Sequence, residues 1–332
     1  MTLTQLTYIL AVDTYRSFRK AAEQCYVTQP TLSMQIQKLE KELGIIIFDR
    51  STYPIEPTDL GSRVIEQIRK IIDETERLKE IIHKSKRMIF GRLRIGIIPT
   101  IAPYLLPLFV DKLINQYQGL ELSIDELQTS KILQLLEQNL LDVGIVSGPI
   151  NHPRIIEKVL YNEPFVGFIS HDHPLIKKEK IKVEDLTLED LWLLKEGHCF
   201  RDQILQLCKS VLTRNPLHSV RLRFEGENLE TLRKLVENNV GITLLPYLAT
   251  LSLKGTSSER LIREFYPPVP TRRVSLIYGK SKLKLQLIKV LQKAIVAAIP
   301  AELHKYNSKK SSNSNKKPTG GELAHFERST KP

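Results

Sequence analysis

Three kinds of hydrophobic pattern follow one another along this chain. Up to about residue 60, apolar positions recur at helical spacing in short stretches separated by turns. The clearest helix has an inward stripe at intervals of four, three and four: Leu32, Ile36, Leu39 and Leu43. Thr28 is placed to cap its beginning, and Gly44 is placed to end it. The apolar residues 45–48 then predict a short strand.

The second pattern predicts one long helix from residue 58 to about residue 87. Apolar or small residues alternate along it at intervals of four and three: Val64, Ile68, Ile71, Thr75, Leu78 and Ile82. This seam is either the face that packs on the helix's own domain or a surface that pairs two copies of the chain. We favour pairing, because the seam is narrow and the rest of the helix is polar.

From residue 91 the pattern changes to alternating strands and helices. The predicted strands cover residues 93–98, 120–126, 142–146, 165–170, 191–194, 220–224, 241–244 and 274–278. The predicted helices cover residues 104–117, 131–140, 229–238 and 283–299. Such alternation favours a largely parallel sheet covered on both faces, built as one large domain or as two lobes. After Pro300 the chain is rich in Ser, Asn and Lys and is expected to be a disordered tail.

These patterns predict four parts with different tasks. Residues 1–59 form a small helical domain, and residues 60–88 form the linker and dimerisation helix. Residues 91–300 form the α/β domain, and residues 301–332 form the tail.

Composition narrows the class of protein. The 332 residues carry a formal net charge of +12, which favours a polyanionic partner such as nucleic acid. Three cysteines provide no framework of structural disulfides and suit a reducing cytoplasm. No apolar run approaches a membrane span, and the N-terminus is unlike a signal peptide. We expect no cofactor and no metal, because the sequence has no Cys-x-x-Cys pair, Gly-rich phosphate loop or metal-spaced His cluster.

The helical domain contains a candidate helix-turn-helix, in which the second helix would enter the major groove of DNA. Short polar or N-terminal positions of that helix are the candidates for DNA contact: Gln29, Pro30, Thr31, Ser33 and Gln35. Arg50 follows the predicted strand and suits a wing that touches the DNA backbone or the minor groove. On the residues alone, an ordinary three-helix packing unit remains an alternative.

Two cysteines, Cys199 and Cys208, lie nine residues apart in a stretch that predicts a helix opening near Cys199. Nine helical residues rise about 13.5 Å, whereas a disulfide needs Cα atoms roughly 4.4–6.8 Å apart. The two thiols therefore never meet, or they meet only when this segment stops being a helix. The second case is a switch. In the alternative, both are simply small buried side chains.

Cys199 follows Gly197 and His198 at the expected start of this helix, with Arg201 close by. A helix N-terminus and a nearby cation favour a thiolate, so we expect a lowered pKa for the Cys199 thiol. A thiolate there could attack peroxide to give a sulfenic acid, and a second thiol could convert it to a disulfide. Cys208 is the nearby candidate for that second thiol.

Several motifs of the helical domain resemble the LysR-type transcriptional regulators: Ala21-Ala22, Gln29-Pro30-Thr31-Leu32-Ser33 and Phe48-Asp49-Arg50. The order of parts, from Met1 to about Pro300, also matches that family. The resemblance implies a winged helix-turn-helix, a linker helix that pairs two DNA-binding domains, and a two-lobed effector domain like the periplasmic binding proteins.

Residues 197–203, Gly-His-Cys-Phe-Arg-Asp-Gln, together with Cys208 resemble the redox segment of the OxyR-type hydrogen peroxide sensors, a branch of the LysR family. The resemblance implies that Cys199 is the peroxidatic thiol and Cys208 the resolving thiol. It also implies a peroxide pocket shaped by four further residues: Thr100, Thr129, His198 and Asp202. On the residues alone, each threonine could instead cap the helix that follows it.

The expected protein is therefore a cytoplasmic transcriptional regulator of oxidative-stress genes that binds double-stranded promoter DNA and is not an enzyme. Its expected partners are further copies of itself, as a dimer through residues 60–88 and a tetramer by resemblance, with RNA polymerase as a candidate. Two alternatives stay open. One is a LysR-type regulator that binds a small metabolite and has structural cysteines. The other is a thiol peroxidase that uses Cys199 for turnover.

Overall fold

The computed structural model describes residues 1–85, 89–187, 191–208, 226–280 and 284–307. The N-terminal domain consists of helices α1 (Leu3–Tyr15), α2 (Phe18–Gln24) and α3 (Gln29–Leu43), followed by a two-stranded hairpin of β1 (Phe48–Asp49) and β2 (Glu56–Pro57). The predicted caps of α3 are confirmed. The Thr28 side chain accepts a hydrogen bond from the Thr31 amide at 3.4 Å, and Gly44 ends the helix at a φ of 68°.

The predicted strand over residues 45–48 is wrong except at Phe48. The reason is that Glu40 takes up the amides that a partner strand would have bound. Its carboxylate accepts from the Ile47 amide at 2.8 Å and from the Phe48 amide at 3.3 Å. The Ile45 amide donates to the carbonyl of the same glutamate at 3.1 Å. These bonds tie the segment to the end of α3, and the strand begins at Phe48, the last residue that they hold.

Helix α4 (Asp59–Ser85) is the predicted long helix, and its apolar seam divides into two parts. Val64 and Ile68 pack into the core of the N-terminal domain. Further along, Ile71 is 39% exposed and Leu78 is 60% exposed. The side chain of Ile82 lies outside the described part of the helix. The first part of the seam therefore packs within its own domain, whereas Ile71 and Leu78 in the second part are exposed in the single chain.

The α/β domain is built on one mixed sheet. Its strands are β3 (Phe90–Ile97), β4 (Gly119–Glu126), β5 (Val143–Gly148), β6 (Ile155–Ile169), β7 (Lys180–Ile181), β8 (Leu191–Trp192), β9 (Ile242–Pro246), β10 (Ile262–Phe265) and β11 (Thr271–Gly279). The main path runs in the order β4-β3-β5-β11-β6-β10-β7, and β9 pairs with both β6 and β8. The helices are α5 (Ala102–Gln116), α6 (Thr129–Glu137), α7 (Cys199–Leu207), α8 (Leu229–Glu237), α9 (Tyr247–Thr250), α10 (Leu285–Ala298) and α11 (Ala301–Asn307).

The prediction of a largely parallel sheet is wrong. Strand β11 runs antiparallel to both of its neighbours, β5 and β6. The first residues of β6, including Glu157 and Lys158, are partly exposed, so the sequence there lacks the continuous apolar run of a buried strand. The predicted strand over residues 220–224 lies outside the described residues.

Two separate apolar cores make the α/β domain two-lobed. The first surrounds β3, β5 and β11 with α5, α6 and α10, and the second surrounds the end of β6 and β9 with α7 and α8. Strand β6 belongs to both, because nine of its first ten residues pair with β11 and its last five pair with β9. The predicted tail is also corrected at its start: α11 continues the fold past Pro300 and buries Leu303. The rest of the tail, residues 308–332, lies outside the described residues.

Candidate functional site

Two strand-to-helix junctions of the first lobe meet the beginning of helix α7. One junction leaves β3 through residues 98–101 and enters α5, and the other leaves β4 through residues 127–128 and enters α6. The amide of Leu127 donates to the carbonyl of Ile97 at 2.9 Å and so holds the two junctions side by side. The carboxyl ends of neighbouring parallel strands are where open α/β sheets bind ligands. Helix α7, with His198 at its N-cap, approaches this edge from the second lobe.

A small inner cavity of about 10 Å³ lies at this meeting point, room for about one water-sized molecule. Its walls come from both junctions and from the start of α7: Ile98, Pro99, Thr100, Gln128, Thr129, Gly197, His198 and Cys199. The structure thus brings together four of the residues that the sequence singled out. An outer cavity of about 520 Å³ adjoins it and shares Pro99, Gln128 and His198.

The thiol of Cys199 sits half-buried on the wall of the inner cavity, at the first position of α7. Burial raises its pKa above the ordinary value, and the charge of Asp202 adds to this. The Arg272 guanidinium, the Thr129 hydroxyl and the Phe200 amide act in the opposite direction without cancelling the effect of burial. The prediction of a lowered pKa is therefore wrong, because the depth of the thiol in the fold was not visible in the sequence.

The cation that acts on Cys199 is Arg272, which the sequence analysis missed. Its guanidinium is buried on β11 and pairs with Glu163 at 2.8 Å. It also donates to the hydroxyl of Thr100 at 3.0 Å and to the carbonyl of Thr100 at 2.9 Å, and it lies 5.2 Å from the centre of the Phe200 ring. Arg272 therefore links the β3–α5 junction to the first turn of α7.

The guanidinium of Arg201, the cation expected from the sequence, is bound to a different group. Its guanidinium donates to the carbonyl of Leu194 at 2.9 Å, which anchors α7 to the preceding segment. Asp202 is also displaced from its predicted place: it is exposed and is absent from the walls of the inner cavity. No sequence signal pointed to Arg272, because it comes from a strand far along the chain.

Two buried polar atoms on the cavity wall have no nitrogen or oxygen hydrogen-bond partner among the described residues. They are Nε2 of His198 and the hydroxyl of Thr129, which interacts with the Cys199 thiol. Burial lowers the pKa of His198, so the imidazole is neutral near neutral pH. Unsatisfied buried polar groups are costly, and they often mark a place where a ligand or water binds. A neutral imidazole and a hydroxyl can each donate or accept a hydrogen bond.

Cys208 is at the opposite end of α7, in different surroundings. It is the C-cap of the helix, and its amide donates to the carbonyl of Ile204 at 3.0 Å. Its side chain is 1% exposed inside the core of the second lobe, where burial raises the pKa of the thiol. The predicted helix from Cys199 is confirmed, and both thiols are free in this structure.

In the N-terminal domain, Gln29, Pro30 and Thr31 are exposed at the start of α3. The other candidates for DNA contact are engaged within the domain. Gln35 accepts a hydrogen bond from Gln5 at 3.2 Å. Among the candidates for DNA contact on α3, those in its first turn are therefore the most exposed.

Arg50, expected on the DNA-facing wing, is held by contacts inside its own domain. Its guanidinium pairs with Glu40 at 2.8 Å, donates to Ser33 at 3.4 Å and lies 5.1 Å from the centre of the Phe18 ring. These contacts join the hairpin to α2 and α3. DNA contact by Arg50 stays a prediction.

Among the described residues, no helix combines the length and the apolar character needed to cross a membrane. Within the same residues, no group of three or more His, Cys, Asp or Glu side chains is arranged to hold a metal ion.

Comparison with known families matches both parts of the chain. Residues 3–62 match the family described as "Bacterial regulatory helix-turn-helix protein, lysR family", and residues 87–299 match the "LysR substrate binding domain". The second match alone covers more than half of the chain.

Similar proteins of known name point the same way. The chain is 37% identical over 278 residues to the "Hydrogen peroxide-inducible genes activator" of Haemophilus influenzae, which covers 84% of this chain and 90% of that protein. It is 36% identical to the "DNA-binding transcriptional dual regulator OxyR" of Escherichia coli, over 84% of this chain and 89% of that protein.

Two solved structures resemble the chain over most of its length. A full-length cysteine-to-aspartate mutant of OxyR from Pseudomonas aeruginosa has a TM-score of 0.72 at 34% identity and covers 90% of this chain and 99% of that one. A cysteine-to-serine mutant of OxyR from Corynebacterium glutamicum with hydrogen peroxide bound has a TM-score of 0.59 at 30% identity, over 90% of this chain and 92% of that one.

Proposed function

The chain belongs to the LysR family of bacterial helix-turn-helix transcriptional regulators, and we propose that it is a regulator of oxidative-stress genes that senses hydrogen peroxide through Cys199. The observation that carries this proposal is the inner cavity. It places the Cys199 thiol beside the Thr129 hydroxyl and the neutral His198 imidazole, in a space for one very small molecule. The similar protein solved with hydrogen peroxide bound supports the same ligand.

The first chemical step is attack of the Cys199 thiolate on one oxygen of hydrogen peroxide. A sulfur–oxygen bond forms, the oxygen–oxygen bond breaks, and the second oxygen leaves as hydroxide, which takes up a proton to become water. Sulfur loses two electrons and the peroxide gains them. The hydroxyl of Thr129 and Nε2 of His198 supply hydrogen bonds to the two oxygens, and Arg272 favours the thiolate by its charge.

The second step is attack of Cys208 on the sulfenic acid of Cys199, which forms the disulfide and releases water. Cys199 and Cys208 are at the two ends of α7, separated by a helical rise of about 13.5 Å, so the helix must open before the sulfur atoms can meet. Opening withdraws Phe200 and Ile204 from the second core. The disulfide is thus the covalent event that biases the effector domain toward a second conformation.

The conformational change of the effector domain is expected to alter DNA binding through the other parts of the chain. The proposal assigns promoter binding to residues 1–59, pairing of two copies to residues 60–88, and sensing to residues 91–300. The exposed Ile71 and Leu78 on α4 support pairing through that helix. A tetramer, contact with RNA polymerase and a cytoplasmic location complete the proposal, and they rest on the resemblance to the family.

A regulator that responds to a small metabolite is the second candidate. The outer cavity of about 520 Å³ favours it, because small-molecule sites are commonly in the range of about 300–1,000 Å³. The inner cavity distinguishes the two candidates, since a thiol is not needed on the wall of a site that only binds a metabolite.

The test is quantitative mass-spectrometric mapping of the thiols after a short pulse of low-micromolar hydrogen peroxide on the reduced full chain. We expect a Cys199–Cys208 disulfide in the wild type, and none in Cys199→Ser. Cys25, which packs in the N-terminal core, is the internal control thiol and should stay reduced in both proteins. Unmodified Cys199 and Cys208 in the wild type would overturn the proposal and favour the metabolite-binding regulator.

A further inference from the structure

We propose that Gln128 is a gate that admits hydrogen peroxide to Cys199 and excludes larger hydroperoxides. This inference rests on the proposed function of Cys199 and adds the residue that sets its substrate class. Gln128 is one of three residues, with Pro99 and His198, that line both the outer and the inner cavity. It therefore lies at the boundary between the outer cavity and the cavity that Cys199 lines.

The backbone of Gln128 takes part in the start of helix α6, whereas its side chain makes no capping hydrogen bond there. Gln128 is the N-cap residue of α6, and its carbonyl accepts the Ile132 amide at 3.0 Å. Its side chain does not cap the helix, although an N-cap side chain commonly accepts a hydrogen bond from the first turn. The amide group instead extends toward Gly197, on the segment that leads into α7.

The contact with Gly197 shows how the side chain lies. A Cβ atom at Gly197 would be 3.3 Å from Nε2, 3.3 Å from Oε1 and 3.5 Å from Cδ of Gln128. Because Nε2 and Oε1 are both nearer than Cδ, the outer edge of the amide group points toward the glycine. Gly197 also has a φ of 96°, which side-chain-bearing residues rarely adopt. The glycine therefore allows the chain to turn and the amide to approach closely.

The difference in size between the two cavities explains why a gate between them would select small peroxides. The outer cavity of about 520 Å³ can hold an alkyl hydroperoxide, whereas the inner cavity of about 10 Å³ has room for little more than one water-sized molecule. The Gln128 amide is part of the wall that keeps the inner space small. Removing its bulk would join the two spaces beside Cys199.

The chemical step is of the same kind for either peroxide, so a change in the ratio of the two rates between wild type and variant isolates the effect of size. The Cys199 thiolate attacks the terminal oxygen of ROOH, the sulfur–oxygen bond forms, the oxygen–oxygen bond breaks, and RO⁻ leaves and is protonated to ROH. With hydrogen peroxide, R is a hydrogen atom, and with tert-butyl hydroperoxide, R is a bulky alkyl group that must occupy the space beside the thiol.

The experiment compares the rate of Cys199 oxidation by these two peroxides in the reduced full chain, measured by rapid quenching and mass spectrometry. Gln128→Ala opens the wall, Gln128→Met keeps its bulk without the amide, and Gln134→Ala is the control. Gln134 is an exposed glutamine on the same helix that lines neither cavity, and it accepts a hydrogen bond at 3.0 Å from Lys131 on the wall of the outer cavity.

We expect Gln128→Ala to raise the ratio of the tert-butyl hydroperoxide rate to the hydrogen peroxide rate by about tenfold or more, the size of discrimination that a tight pocket exerts against extra carbon atoms. Gln128→Met and Gln134→Ala should leave the ratio close to that of the wild type. A ratio in Gln128→Ala that equals that of the wild type would overturn the gate. If wild-type Cys199 does not react with hydrogen peroxide, the proposed function fails first, and the two failures are thereby distinguished.

Discussion

The two ends of helix α7 carry the same side chain in opposite surroundings. Cys199 lines a cavity with hydroxyl and imidazole groups, and Arg272 and Thr129 counteract the burial that raises its pKa. Cys208 is enclosed by the apolar core of the second lobe, and burial is what shifts its pKa. The difference supports the proposal that Cys199 reacts with a small polar molecule and that Cys208 stays protected until the helix opens.

Removal of Cys208 tests most strongly whether the two thiols have separate tasks. In Cys208→Ala we expect Cys199 to react with hydrogen peroxide at the wild-type rate, because its cavity is at the other end of α7. The disulfide should be absent, and the sulfenic acid of Cys199 should persist and be trapped by dimedone. Alanine is chosen because serine would bury an unpaired hydroxyl in the core. A large loss of Cys199 reactivity would mean that the two ends do not have separate tasks.

The pH dependence of oxidation tests the environment of Cys199 next. Because the pKa of its thiol is raised, the thiolate is the minor form near neutral pH. The rate with hydrogen peroxide should therefore increase about tenfold for each pH unit below that pKa, or about a hundredfold over two units. Stopped-flow rates between pH 6 and 8 measure this. A rate that has already reached its plateau in this range would indicate a lowered pKa instead.

Arg272 gives a third, smaller effect. Replacing it alone would leave Glu163 buried without its cation, at a cost of about 3–5 kcal/mol. The informative variant is therefore Arg272→Met combined with Glu163→Gln, which removes both charges. We expect the pKa of the Cys199 thiol to rise further. The thiolate then becomes scarcer near neutral pH, so the oxidation rate at pH 7 should decrease by about threefold to tenfold.

The matched control for this variant is Arg201→Met. Arg201 is closer in sequence to Cys199, but its guanidinium is bound to the carbonyl of Leu194. Its removal should change the rate less than the removal of Arg272 does. If Arg201→Met has the larger effect, the cation assigned to the thiol is wrong.

An effect similar in size to that of Arg272 is expected at the Thr129 hydroxyl, which lowers the pKa of Cys199. Thr129→Val removes this hydroxyl with little change in volume. We expect the rate with hydrogen peroxide to decrease about fivefold, the equivalent of one hydrogen bond of about 1 kcal/mol. Thr129→Ser keeps the hydroxyl and should retain most of the rate. Equal rates in the valine and serine variants would show that the Thr129 hydroxyl does not contribute to the rate of Cys199 oxidation.

The same comparison shows what the sequence can and cannot predict. The helix at Cys199 was predictable, because its positive-φ glycine and its helix-forming residues are local signals. The role of Arg272 was not, since β11 brings it to the cavity through strand pairing that leaves no local pattern. The direction in which the Cys199 pKa departs from its ordinary value was mispredicted for a related reason. Burial is a property of the assembled lobes, and it outweighs the helix N-terminus and the cation.

The sheet gives a parallel lesson about strands. The buried strands β5 and β9 were predictable from short apolar runs. The first half of β6 was missed, because its charged residues Glu157 and Lys158 interrupt the pattern, although it pairs with β11 along its length. When the first half of β6 is not recognised, the remaining alternation of strands and helices predicts a parallel sheet.

Opening of helix α7 on disulfide formation can be measured by hydrogen–deuterium exchange of the reduced and the peroxide-treated full chain. We expect the amides of residues 199–208 to lose protection when the disulfide forms, because the helix must open for the two sulfur atoms to meet. Helix α8, which packs in the same core, is the internal reference and should keep more of its protection. A disulfide between Cys199 and Cys208 with unchanged protection across residues 199–208 would contradict the account.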